Sequence, residues 1–383
     1  MKHRTEILIL GGGVIGCAIA FELARKGRKV TVIERNSPGC ESSNAAAGIL
    51  GPQIEASGPG PLLKLKLAGK ALFAETADLL HRETGIDVEY RPIGVLHLIL
   101  SESEEAEAQQ RMGWQQRLGL KVSFLSAQEV QGAEPCTTPN VRGALHYPDD
   151  HQINNANLVK ALYQDARMHG AKFSLGNPAT AILREGSQVR GASSPCEEWE
   201  ADAVVICAGS WSAQLSRLCG FPIPLTPARG QMLLTSSTVT PLRKVVAHGS
   251  CYLVPRVNGE ILVGSNVEFV GYDKRVTASG VHDILTRAFA AVPTLAQESL
   301  LATWAGLRPH CQDGLPILGA IPGTRGAFLA TGHFRNGILL SLITGRVMAQ
   351  LILGENPTFP LKPFRPDRFV DPSSQIPGEK PDL

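Results

Sequence analysis

The stretch Ile7-Leu8-Ile9-Leu10-Gly11-Gly12-Gly13-Val14-Ile15-Gly16 joins an unbroken apolar run to glycines spaced Gly-x-Gly-x-x-Gly. A helical pattern follows over 17–26, and Gly27 stops it. A second apolar run, Val30-Thr31-Val32-Ile33, ends on Glu34. Strand, glycine turn, helix, strand and acid in that order make a dinucleotide-binding βαβ unit. Gly11 permits the tight turn out of the strand. Gly13 removes a side chain where backbone must approach a pyrophosphate, and Gly16 lets the helix pack close to the sheet. The helix N-terminus offers N–H groups and partial positive charge to phosphate. Glu34 is placed to accept hydrogen bonds from ribose hydroxyls.

The 383 residues exceed one ordinary core and suit two domains. Hydrophobic residues at 43% and charged residues at 19% describe a globular chain. Basic and acidic residues nearly balance, 37 against 35, with no extended basic run, so nucleic acid is not an expected partner. None of the eight cysteines forms a C-x-x-C pair, which leaves a zinc site without support. They are expected to be buried, reduced thiols in a cytoplasmic protein. The four-residue apolar run before the glycines is too short for a signal peptide and is needed as a strand. The apolar segment 337–353 contains Thr344, Arg346 and Gln350. It is short for a membrane span and is expected to be a buried helix ended by Gly354, with no stable membrane insertion.

Small residues over 42–48 would let backbone amides approach a cofactor. Pro59-Gly60-Pro61 breaks the chain before a helical pattern over 62–84. Residues 93–100 are β-like and 102–118 form a polar helix; neither continues a βαβ alternation, so a second domain starts here. Asp149-Asp150-His151 is expected to be a turn, with Asn154 or Asn155 capping a helix that runs to His169. The buried run 203–209 returns to a parallel strand. Strands at 231–234, 251–255 and 261–265, with an Asn258-Gly259 hairpin, are expected to be antiparallel.

No Ser/His/Asp order, metal cluster or Walker loop stands out. Arg308 and Arg335 each lie among glycine, proline and apolar residues, where an unpaired guanidinium is costly. A bound carboxylate would satisfy such an arginine by a bidentate pair. Tyr252 lies in an apolar strand where its hydroxyl needs a partner.

The segments GGGVIGCAIAFELA (11–24), IERNSPGCESSNAAAGILGPQ (33–53), CYLVPR (251–256), WAGLRPHCQDGLPILG (304–319) and GHFRNGILLSLITG (332–345) span nearly the whole chain. Together they resemble the D-amino-acid oxidase family of flavoproteins, most closely its glycine oxidase (ThiO-type) branch. The resemblance implies an α/β fold: a Rossmann-like FAD-binding domain with a discontinuous α+β substrate domain built on an antiparallel sheet. The expected boundaries are 1–85, 141–220 and 308–365 for the FAD-binding domain. Residues 86–140 and 221–307 make the substrate domain, and 366–383 an extended tail.

The resemblance also implies noncovalent FAD. Besides Gly11, Gly13 and Gly16, the matching positions are Val14, Ile15, Glu34 and Arg35. Ser42, Ser43, Ala47, Gly48 and Ile49 follow, and Ala179 touches the adenosine half. His333, Phe334, Arg335, Asn336, Gly337, Ile338 and Leu339 wrap the flavin and contribute a helix N-terminus. Arg308 matches an arginine that holds the substrate carboxylate, Tyr252 a tyrosine beside it, and Arg335 a second pocket residue.

The implied reaction is oxidative deamination of glycine and small D-amino or N-methyl amino acids. A hydride passes to flavin N5, and O₂ reoxidises the flavin. Imine or α-keto acid, ammonia and H₂O₂ result, with a role in thiazole formation for thiamine biosynthesis and a homotetrameric assembly. His310, Cys311 and Val267 depart from the family pattern and leave amine selectivity open. Cys311 also raises a covalent flavin link, although its spacing to Asp313 does not fit the group that has one. Two other readings are a D-amino-acid dehydrogenase passing electrons to a quinone and a flavin-dependent tRNA-modification domain. The near-neutral charge argues against the latter.

Overall fold

The computed structural model describes residues 1–370. The opening unit folds as β1 (Lys2–Leu10), α1 (Val14–Arg25) and β2 (Val30–Glu34), with β1 and β2 paired in parallel. Every residue of β2 is buried, as is β1 from Ile7 onward, while its polar start at Lys2–Arg4 is exposed. An apolar run without alternation suits a strand covered on both faces. Gly27, at φ +71°, closes α1 in the left-handed region and donates to Ala24 O at 2.8 Å.

Strand Glu198–Ile206 pairs in parallel with the other side of β1, and Ala327–Thr331 extends the sheet beyond it. Lys172–Leu175 adds a parallel edge beside β2. A hairpin, Ala181–Glu185 with Gln188–Ser193, and strand Ile317–Ala320 supply the antiparallel pairings of this sheet. Helix Ser341–Ile352 packs on α1, where a Cβ on Gly345 would stand 2.7 Å from Ala18 O. Only a glycine permits that approach.

The second sheet runs in space Leu300–Cys311, Leu225–Ser236, Glu260–Gly264, Cys251–Pro255, Val245–His248, Val95–Ile99, Gly143–Tyr147 and Ser123–Ser126. It is antiparallel apart from the parallel pairing of Val245–His248 with Val95–Ile99. Leu225–Ser236 and Leu300–Cys311 are its longest partners, and Leu307 O of the latter accepts from Ser42 Oγ and, at 2.9 Å, from Ser210 Oγ in loops of the first sheet. The Asn258-Gly259 turn closes its hairpin with Gly259 at φ +76°.

Several boundaries differ from expectation. Gly143–Tyr147 belongs to the second sheet, so the start of the nucleotide-binding part at 141 is corrected; a short apolar strand carries no mark of which sheet it joins. Leu300–Cys311 likewise runs through the expected boundary at 308. Residues 366–369 are not an extended tail. Pro366–Phe369 form a short helical turn, and Arg368 is buried on Asp313 at 2.7 Å. The remainder of that expected tail, 371–383, lies outside the described residues. The helix expected over 62–84 is two, Pro61–Ala71 and Phe73–Thr84. The helix expected from 337 begins at Ser341, after a short helical turn at Phe334–Asn336. Cys40 and Cys196 are exposed, unlike the buried thiols anticipated.

Candidate active site

A cleft of about 320 Å³ opens where the parallel strands of the first sheet end and continues to the face of the second sheet. The carboxyl ends of parallel strands are where α/β sheets bind ligands. Gly11 follows β1, Glu34 ends β2, and Cys207 and Thr331 lie at the ends of the neighbouring strands; all four border the cleft.

Its glycines form a cradle. Gly11 has φ +111°, and a Cβ there would stand 2.6 Å from Cys207 O. A Cβ on Gly16 would meet Gly11 O at 2.0 Å, so Gly16 seats α1 from behind and does not itself border the cleft. Gly13 does border it, and a Cβ there would touch only Ser43 Oγ at 3.4 Å. Gly13 is also the N-cap of α1, with no side-chain cap and no acid in the first turn. Val14 N–H donates to Ser43 Oγ at 3.0 Å. Bare backbone and a helix N-terminus thus face the cleft together, which is the donor set a pyrophosphate requires.

Glu34 is buried and held by two backbone donors, Gly12 N–H at 2.7 Å and Asn36 N–H at 2.9 Å. These fix its carboxylate at the rim of the cradle. Arg35 lies over the Trp211 ring, 3.6 Å from its centroid, and is ion-paired to Glu41. Ser42, Ser43, Ala47, Gly48, Ile49 and Ala179 line the same wall. His333 to Leu339 border the cleft as well. The His333 ring is buried, contacts Thr344 Oγ1 at 3.1 Å, and is pushed down to about 3 by desolvation, so it is neutral at physiological pH. Phe334 sits at φ +47° with its ring edge-on to His310.

At the far end lie Arg308, Tyr252 and Arg335, all bordering the cleft. Arg308 rises from strand Leu300–Cys311 opposite Ala228. Its Nη1 donates to Asn266 O at 3.0 Å and its Nη2 to Ser265 Oγ at 2.8 Å. Both partners are neutral, and no carboxylate pairs with it among the described residues. Burial lowers its pKa from the usual arginine value, opposed mainly by Tyr252. Tyr252 also donates to Met232 Sδ at 3.4 Å. Arg335 differs: it is ion-paired to Glu55 at 2.7 Å.

Glu55 borders the cleft and was not anticipated from sequence, because its partner lies 280 positions away. Trp211, Glu41, Gly230 and Gly306 also border the cleft and were not anticipated. The loop that carries Glu55 is anchored by Asp150, whose carboxylate accepts from Gln53 N–H at 3.2 Å and Ile54 N–H at 2.8 Å. Asp150 is therefore more than a turn residue. Asn154, as expected, caps helix Asn155–Met168, accepting from Asn157 N–H. Cys311 is buried outside the cleft, against Arg368 at 3.7 Å, with its thiol pushed up to about 12 by burial. That position gives no route to a covalent flavin link. No group of three or more potential metal ligands occurs among the described residues. None of the described helices is long and apolar enough to cross a membrane.

Comparison with known proteins agrees with this geometry. A family model described as FAD dependent oxidoreductase matches residues 6–351. The chain is 36% identical to a glycine oxidase of Geobacillus kaustophilus, over 97% of this chain and 98% of that protein. It is 33% identical to the bifunctional protein ThiO/ThiG of Synechocystis, over 97% of this chain and 55% of that protein. The crystal structure of glycine oxidase from Geobacillus kaustophilus superposes with a TM-score of 0.92 at 35% identity. That match covers 95% of this chain and 98% of the other.

Proposed function

This chain belongs to the FAD-dependent oxidoreductase family, and from that premise we propose that it oxidises glycine and small D-amino or N-methyl amino acids. The products of the proposed reaction are an imine, which hydrolyses to an α-keto acid and ammonia, and H₂O₂ from O₂. Bound FAD supplies the hydride-accepting chemistry that no side chain of the protein offers. The glycine cradle fits its pyrophosphate, and Glu34 its ribose. Arg35, Ser42, Ser43, Ala47, Gly48, Ile49 and Ala179 would hold one side of it and His333 to Leu339 the other. In this reading the first sheet carries the cofactor and the second sheet the substrate.

The observation that carries the reading is Arg308: a guanidinium with only neutral partners, in a cleft continuous with the cradle. A substrate carboxylate would complete its bonding, helped by Tyr252. Holding the carboxylate fixes the α-carbon, and orientation of that kind is a large share of catalysis. Among the described residues at this end Glu55 is paired with Arg335 and burial makes His333 a poor proton acceptor, which suits an amine that binds already deprotonated. The likeness to the ThiO/ThiG protein supports a place in thiazole formation, the family resemblance a homo-oligomer, and the free cysteines a cytoplasmic location.

A peroxide-coupled assay with glycine, sarcosine, D-alanine and L-alanine tests the proposal. Peroxide from glycine and none from L-alanine is the expected outcome. Dye reduction by D-amino acids without peroxide would make the chain a dehydrogenase instead.

A further inference from the structure

We propose that Glu55 sets the number of anionic groups a substrate is allowed to carry. By neutralising Arg335 it leaves Arg308 as the single guanidinium open to an anion, and restricts the pocket to monocarboxylates. The inference rests on reading the cleft as an amino-acid site.

The argument starts from charge. Two guanidiniums, Arg308 and Arg335, and one carboxylate, Glu55, border this end of the cleft. Glu55 meets Arg335 at 2.7 Å, and the two side chains are only 19% and 13% exposed. Water screens such a pair weakly, so Glu55 offsets the charge of Arg335 and leaves Arg308 as the guanidinium that has only neutral partners. A substrate with one carboxylate pairs with Arg308 and leaves the Arg335–Glu55 pair intact. A second carboxylate brought to Arg335 would find Glu55 beside it, and like charges in a dry site repel strongly. Burial works against the Glu55 carboxylate, but Arg335 first, then Lys66 and Arg308, hold its carboxyl below the usual range.

The position of Glu55 is built rather than incidental. Asp150 accepts both Gln53 and Ile54 N–H, and Lys66 Nζ donates to the Glu55 carbonyl at 2.6 Å. Gln53 Nε2 donates to Gln115 Oε1 at 3.1 Å, and Gln115 Nε2 donates to the Gln53 carbonyl at 3.0 Å. A loop tied down on both sides of Glu55 holds its carboxylate against Arg335 and cannot swing it aside for a second anion.

Removing the charge while keeping the shape should convert the selectivity. The experiment compares holoenzyme of wild type, Glu55→Gln and Glu55→Gln/Arg335→Gln, measuring kcat/KM for glycine and for iminodiacetate. The ratio of iminodiacetate to glycine should rise at least about tenfold in Glu55→Gln and fall back in the double variant. An unchanged ratio in Glu55→Gln, or a rise that survives loss of Arg335, would overturn the proposal. Acetate and malonate titrations, read by the flavin spectrum, test the same rule without turnover. Malonate should gain on acetate in Glu55→Gln alone. If no amino acid is oxidised but malonate gains in this way, the oxidase reading fails and the charge rule stands. If glycine is oxidised and malonate gains nothing, the charge rule fails and the oxidase reading stands.

Discussion

Gly230 lies so close beneath the Arg308 guanidinium that a Cβ on it would stand 1.9 Å from Nη1. The missing side chain is what lets the arginine lie against Ser265 and Asn266 and face the cleft. Gly230→Ala would push the guanidinium away. The displaced atoms are the far end of a flexible side chain, so the fold and the bound FAD should remain. KM for glycine should rise about tenfold or more, because a displaced charge-assisted pair costs about 2 kcal/mol. An unchanged KM in the yellow variant would contradict the placement of the carboxylate.

Gly13 and Gly16 belong to one motif but should fail differently. A Cβ at Gly13 meets only Ser43 Oγ at 3.4 Å, whereas one at Gly16 meets backbone oxygen at 2.0 Å. Gly13→Val should therefore fold, with a melting temperature near that of wild-type apoprotein, yet purify colourless, because its side chain fills the pyrophosphate space. Gly16→Ala should be poorly folded and largely insoluble. Yellow Gly13→Val with normal FAD content would refute the cradle.

That contrast shows where the sequence was legible. The β1–α1–β2 unit is written in consecutive residues, and its strand, turn, helix and acid constrain one another locally. The charged end of the cleft is not written that way. Arg308 and Arg335 stood out because their neighbours are glycine, proline and apolar residues. Glu55 did not, since a lone acid in a loop gives no sign of a partner 280 positions later. Asp150 looked like a turn residue because the amides it holds belong to a loop nearly a hundred positions earlier. Strand Leu225–Ser236 was read only over 231–234, because Pro227, Arg229 and Gly230 interrupt its apolar pattern. Two of them have non-local reasons to be there: Gly230 makes room for Arg308, and Arg229 is buried on Glu268 at 3.0 Å.

Asp150 gives a pH prediction. Burial pushes its carboxyl up from 3.8 to about 7, despite the two backbone donors that favour the anion. An acid whose folded pKa is raised binds more protons when folded, between those two values. Its contribution to stability is therefore full below about pH 4 and is lost as pH rises to about 7. Asp150→Asn keeps one acceptor oxygen and does not titrate. Between about pH 4 and pH 8 wild type should lose stability relative to the variant, by about 1 kcal/mol or more. Melting curves at both pH values check this, and a gap that does not change with pH would contradict it.

The central claim is that Arg308 receives the substrate carboxylate beside a separately built FAD cradle. The most direct measurement is steady-state oxidation of glycine by Arg308→Ala, together with its flavin content. The account predicts a yellow protein with wild-type FAD content and kcat/KM lower by at least about a hundredfold, the scale of a lost buried charge pair. Turnover of glycine at the wild-type kcat/KM by that variant would contradict the account.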